Sequence, residues 1–217
     1  MTAFRCPTCG AEGRFASGAP YSVCHYCKSL LVRSDVGLES IGRVAEVPDD
    51  FSPLQIGALG QFERRHFSVV GRLRKVWEQG SWNEWCVLFE DQSFGWLAEA
   101  QGDLVMTFEK PDAVLEGVPQ ANQAAQTKPG TIWRISGAAF SVADVKQVSC
   151  QGAEGELSEI FTVGEAVLSI DLRGRGLEFA TIEFRPASVK SYLGRFVEFA
   201  DCRFSNLRKL DGWDEPS

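Results

Sequence analysis

Four cysteines near the start constrain this chain more than any other feature. Cys6-Pro7-Thr8-Cys9 and Cys24-His25-Tyr26-Cys27 are two C-x2-C pairs separated by a 14-residue spacer. Two residues between cysteines let a tight turn aim both sulfurs at one metal about 2.3 Å away, and two such knuckles complete a tetrahedron. Gly10 lets the backbone fold back on its own ligands, and Gly13, Gly18 and Pro20 suit a spacer that closes a short hairpin. The rival reading of a lone C-x-x-C is a thioredoxin-like redox pair, which two matched pairs without a βαβ pattern oppose. The expectation is one structural Zn²⁺ held by Cys6, Cys9, Cys24 and Cys27, with no open coordination position for catalysis. His25 lies inside a knuckle whose ends already supply two sulfurs, so it is not expected to be a ligand. A ribbon over residues 1–34 has too little core to fold without metal, which makes metal binding part of folding.

The remaining cysteines and the charge bound the rest. Seven cysteines are an odd count, suited to reduced thiols rather than a secreted disulfide framework. Cys86, Cys150 and Cys202 stand singly in strand-like surroundings and read as small buried hydrophobes. The longest apolar stretches, Trp85 to Phe89 and Ala166 to Ser169, fall far short of the roughly 20 residues that cross a bilayer, and no signal-peptide stretch opens the chain. A cytoplasmic protein without membrane insertion is expected. Of a formal net charge of −7, residues 1–34 carry +3, which leaves −7 − 3 = −10 for the remainder. A body that acidic repels a phosphate backbone, so nucleic acid is not an expected partner.

Residues 35–53, rich in Gly, Pro and acidic side chains, read as a linker, 54–210 as the body and 211–217 as a tail. The runs 66–77, 82–89, 94–97 and 104–108 alternate like strands joined by connections of hairpin length, an antiparallel meander. Residues 109–130 lose hydrophobic content and read as a long loop. Strands resume at Thr131–Ile135, Ala139–Val148, Ala166–Leu172, Leu177–Phe184 and Arg195–Phe199, with Gly174-Arg175-Gly176 as a hairpin turn. Pro186 to Leu193, closed by Gly194, has the punctuation of a short helix. Phe67-Ser68-Val69 is faintly echoed by Phe140-Ser141-Val142, which hints at two related β modules, 54–110 and 131–210, against the alternatives of chance similarity and a single barrel. The fold class expected is mainly β: a four-cysteine zinc ribbon followed by an antiparallel barrel or sandwich.

The runs Phe67-Ser68-Val69-Val70-Gly71-Arg72, Trp82-Asn83-Glu84-Trp85 and Gly95-Trp96-Leu97-Ala98-Glu99 resemble the bacterial family catalogued as domain of unknown function 4178. Gly155-Glu156-Leu157, Phe179 to Phe184 and Gly194 to Phe199 look like further parts of it, so the similarity spans roughly residues 54–210. An N-terminal zinc ribbon is a familiar companion of that body. The family has no established activity. The resemblance implies company instead, namely phage-shock/ESCRT-III-like proteins, small membrane proteins and polyamine aminopropyltransferase-like proteins, and so an accessory role in a membrane-stress or defence operon.

Trp82-Asn83-Glu84-Trp85 is the most distinctive local run. In a strand Trp82 and Glu84 face one way, Asn83 and Trp85 the other. Trp82, Asn83, Glu84 and Trp96 are the candidate interaction surface, where a carboxylate beside an exposed ring could bind a cation or a peptide. The structural alternative has Asn83 closing the turn, Trp85 in the core, and Glu84 paired with Arg72 or Arg74. His25 and His66 are the only histidines, and no H-E-x-x-H, G-x-S-x-G or Walker-type loop occurs. The leading expectation is therefore a non-enzymatic adaptor that docks protein partners. The second is a sensor for a polycation such as a polyamine. The third is an enzyme acting through a buried carboxylate such as Glu84, which would need a deep pocket and a raised pKa. Oligomeric state is left open.

Overall fold

A computed structural model describes residues 2–34, 37–48, 50–162 and 164–210; the tail 211–217 lies outside them. The two knuckles each sit in a hairpin: β1 (Thr2–Arg5) with β2 (Glu12–Phe15), and β3 (Tyr21–Val23) with β4 (Ser29–Ser34). β5 (Gly37–Arg43) pairs antiparallel with β4. Within the stretch read as a linker, residues 37–43 thus form a strand. After β5, Val44 is buried, Ala45 bridges to Gly152, and Asp50 enters a hydrogen-bond network described below. Its composition signals irregular backbone, but composition cannot register that β4 would otherwise leave an edge of unpaired peptide groups.

The body begins as the expected meander. β6 (Leu59–Phe62), β7 (Arg65–Trp77), β8 (Gly80–Phe89), β9 (Phe94–Ala100) and β10 (Asp103–Glu109) pair in sequence order. The segment read as a loop carries β11 (Leu115–Glu116) and the single-turn helix α1 (Ala121–Ala124), whose Ala124 is fully buried. A second meander follows: β12 (Ile132–Ile135), β13 (Ala138–Leu157), β14 (Val167–Arg173), β15 (Glu178–Arg185) and β16 (Ser188–Val197). The helix expected from Pro186 to Leu193 is instead the β15–β16 turn and most of β16. Its Pro and Gly punctuation is local, whereas β10 and β15 both offer open edges that only a strand between them can satisfy.

β10 pairs with β16 and β7 pairs with β13, so eight strands close in the ring β7-β8-β9-β10-β16-β15-β14-β13, antiparallel throughout. The body is one barrel made of two related halves. In each half the first hairpin turns through two consecutive residues of positive φ, Glu63 and Arg64 (49° and 66°) or Ser136 and Gly137 (50° and 83°). The repeated Phe-Ser-Val follows at the same distance, and each long strand then bulges at the same position, between Val69 and Gly71 or between Val142 and Asp144. The two halves meet at β7–β13 and β10–β16, and glycine stands at both seams: Gly71 opposite Gly155, and Gly194 opposite Thr107.

Alternation along the strands separates two environments. One face of the wall carries two apolar clusters. Leu54, Ala58 and Phe62 cover Trp85, Val87, Leu97 and Met106, while Ala124, Trp133 and Ile135 cover Ile170, Leu172, Ala180 and Ile182. The opposite face lines the lumen. The ribbon joins the barrel where Tyr21 and Ser22 pair with Leu157 and Glu156, and Glu156 accepts the backbone N–H groups of Ala16 and Ser17. Val23, Leu30 and Val44 add to the cluster of Val70, Leu73, Cys86, Trp96, Cys150 and Tyr192 that fills one end of the lumen.

Candidate functional site: the barrel lumen and the cysteine quartet

Cys6, Cys9, Cys24 and Cys27 converge with all four sulfurs within 4.8 Å of one another. The Cys6–Cys27 and Cys9–Cys24 sulfurs are 3.7 and 3.8 Å apart. A tetrahedron with metal–sulfur bonds of about 2.3 Å has edges of about 3.8 Å, so the quartet fits a tetrahedral metal ion. Gly10 and Lys28 each directly follow the second cysteine of a knuckle and both have positive φ, 76° and 59°. That conformation lets the Gly10 and Lys28 N–H groups donate to the carbonyls of Cys6 and Cys24. The hydroxyl and backbone N–H of Ser29 pull the Cys27 thiol down to about 6, while at Cys9 the backbone N–H of Ala11 is outweighed by desolvation and the neighbouring thiols, which push it up to about 12. His25 is exposed and stays outside the quartet. Cys86, Cys150 and Cys202 are buried, and burial pushes them up to about 12, 11 and 11, as fits inert core thiols.

The hairpin face expected as a docking surface is not at the surface. Trp82, Glu84 and Trp96 point into the barrel, where they line a cavity of about 370 Å³. Asn83 lies on the other side of the wall, buried in mid-strand rather than in the turn. There its amide donates to Asp50 and Glu99 and its oxygen accepts from Arg72 and Arg74. Trp85, fully buried, donates its indole N–H to Glu99. Alternation assigned the faces correctly. Which face was enclosed depended on ring closure between strands far apart in sequence.

All eight barrel strands contribute to the cavity lining. The lining residues Ala100, Gln101, Asp103, Ala143 and Arg173, most of them beside hairpin turns, mark the mouth. Deeper in, the charges form a closed network. Lys75 bonds Glu183 at 3.1 Å and lies 3.7 Å from Glu84, whose expected partner was Arg72 or Arg74. Arg185 pairs with Glu183 and Glu159, Lys190 with Glu159, and the Tyr192 hydroxyl donates to Glu159 at 2.7 Å. Burial alone would neutralise Lys75, but Glu84 and Glu183 outweigh it and hold the ammonium charged. Burial raises Glu84, while for Glu183 the attraction of Lys75 and Arg185 overcomes burial and lowers it. These groups were invisible to sequence reading because their spacing follows barrel closure, not a motif.

Asp171 differs from the others. It faces the lumen from β14 and accepts a hydrogen bond from Thr181 at 2.8 Å, but among the described residues no basic group forms an ion pair with it. Burial pushes its carboxyl up to about 6. Since an unfolded Asp titrates near about 3.9, the native state binds this proton more tightly. The resulting stabilisation is full below about pH 4 and lost as pH rises through about 6. Asp171→Asn is therefore expected to match the parent near about pH 4 but to exceed it by about 1–2 kcal/mol at about pH 7.5, allowing for water in the lumen. Urea midpoints at the two pH values measure this. A variant less stable than the parent at the higher pH would contradict it.

A family model described as Domain of unknown function (DUF4178) matches residues 55–199, which run from just before β6 to just after β16. No curated protein and no solved structure matches the chain. Among the described residues, no helix is long and apolar enough to cross a membrane.

Proposed function

We propose, from the premise that this chain belongs to the DUF4178 family, that it is a binding protein whose barrel lumen receives a small molecule. The observation that carries this reading is the cavity walled by all eight strands, with a solvent-facing mouth and an interior whose deep charges are already satisfied. Eight-stranded barrels have interiors just wide enough for side chains or one small ligand, and about 370 Å³ lies within the range of small-molecule sites. In this reading the ribbon, with Zn²⁺ as its ion, stabilises the closed end of the barrel and offers the adaptor surface. Tyr26, 75% exposed at the tip of the second knuckle, is the natural contact for a protein partner. Such a partner would be of the phage-shock/ESCRT-III-like or small-membrane-protein kind, in the cytoplasm.

Trp77, Trp82 and Trp96 all line the cavity, so occupancy should alter tryptophan emission and raise the melting temperature together. A diverse screen of small metabolites that moves neither signal would overturn this reading. Catalysis by Glu84 is the second reading, favoured by a carboxylate that faces the cavity and whose pKa burial raises. Recovery of a bound ligand chemically unchanged after long incubation separates binding from turnover.

A further inference from the structure

We propose that the ligand of this lumen is an organic monocation whose ammonium group sits on Asp171 and whose apolar body lies against the aromatic rings of the mouth. The proposal rests on the lumen being a binding site. Its basis is the charge pairing inside the barrel. Glu84, Glu159 and Glu183 are engaged by Lys75, Arg185 and Lys190, and Asp144 by Lys146. Asp171 is left as an enclosed carboxylate whose bonded partner is the neutral Thr181 hydroxyl, which leaves it acceptor capacity toward the cavity.

The rings around it already attract cations. The Arg173 guanidinium lies 3.6 Å from the Phe196 ring centroid and 5.7 Å from that of Phe179, and the Lys146 ammonium lies 4.8 Å from Trp77. Trp77 and Trp82 stack tilted with centroids 5.5 Å apart. Those faces hold the chain's own cations, so the ligand's charge goes to Asp171 and its apolar body to the ring surface left free. An anion would meet Asp171 and find the deep basic groups occupied, with Arg173 at the mouth stacked on Phe196. A polycation would find Asp171 as the enclosed uncompensated carboxylate and Asp103 at the exposed mouth, and would have to bring its inner charges close to Lys146 and Arg173 or break the deep pairs. One buried positive charge matches one uncompensated negative charge.

The groups facing Asp171 are Thr181 and Glu183 on β15 and Asp144 and Lys146 on β13. Lys146 and the acidic pair oppose one another, so the cation should bind through ionised Asp171 and weaken as pH falls below about 6.

The test titrates the full metal-bound chain with phenethylamine, its neutral alcohol analogue 2-phenylethanol, the anion 3-phenylpropionate, and spermidine, following tryptophan emission and calorimetry. The expected result is that phenethylamine binds most tightly and loses about tenfold or more in Asp171→Asn, whereas the alcohol binds both proteins equally. Asp171→Asn is a sound control because it should gain stability, not lose it. Tighter binding of the alcohol, the carboxylate or spermidine, or an unchanged amine affinity in the variant, overturns the monocation while leaving the lumen as a binding site. No response to any of the four, with parallel failure of the metabolite screen, overturns both.

Discussion

Cys6→Ser or Cys24→Ser should release the metal altogether and weaken the barrel as well as the ribbon. Four thiolates supply the binding energy of such a site, on the order of 10–16 kcal/mol for structural zinc, and that energy is the folding energy of the ribbon. Among the described residues, the ribbon's own interior is a small cluster, Cys6, Cys24 and Leu31 with Phe4, Ala11, Cys27 and Leu38 against it. That is too little to hold β1 to β4 together. The effect should spread because Val23, Leu30 and Val44 belong to the cluster that fills the lumen's closed end. Each buried aliphatic side chain contributes about 1.5–3 kcal/mol, so their partial loss should cost the barrel a few kcal/mol. Metal content by mass spectrometry should fall from one ion per chain to none, strand signal in circular dichroism should largely persist, and the melting temperature should drop. Retention of one ion in either variant, or an unchanged melting temperature, would refute the coupling. Iron in place of zinc would refute the ion's identity alone.

Gly194→Ala should be the most damaging single-methyl change in the barrel. A Cβ there would lie 1.8 Å from the Met106 carbonyl oxygen, inside the seam where β16 meets β10. The obstacle is backbone, not a flexible side-chain end, so the strands must part and the ladder between the two halves must yield. Gly71→Ala repeats the conflict at the other seam, with 2.0 Å to the carbonyl oxygen of Glu156. Overpacking in a core costs about 1–3 kcal/mol, and a backbone clash at a ring closure should exceed about 3 kcal/mol, enough to threaten folding. Gly18→Ala is the control, since a Cβ there meets open space; its effect should stay within about 0.5 kcal/mol. Urea midpoints rank the three. Equal midpoints for Gly194→Ala and Gly18→Ala would mean the halves do not close as a tight ring.

Where sequence reading succeeded, its signal was local. The quartet was legible because a metal site built from two turns writes its geometry into spacing, with Gly10 marking the turn. The meander and the Gly174-Arg175-Gly176 turn were legible because alternation and hairpin chemistry act over a few residues. The echo between Phe67-Ser68-Val69 and Phe140-Ser141-Val142 was legible, though only matching bulges and turns show how far the likeness extends. Residues 37–43 and 188–193 misled for one reason: Gly, Pro and acidic content describe a segment's own preferences, while a waiting strand edge imposes a different backbone.

By itself the sequence determined the elements whose causes lie within a few residues: a pair of cysteine knuckles able to hold a metal, an antiparallel β body, and a Trp82–Glu84 face opposed to an Asn83–Trp85 face. Tertiary structure alone decided what those faces became. Trp82, Glu84 and Trp96 line a cavity, and among the described residues Asp171 has no ion-pair partner, because β7 closes on β13 and β10 on β16. Charge pairing across a lumen depends on distances between residues far apart in the chain, such as Lys75 and Glu183. No local spacing encodes those distances, and only ring closure sets them.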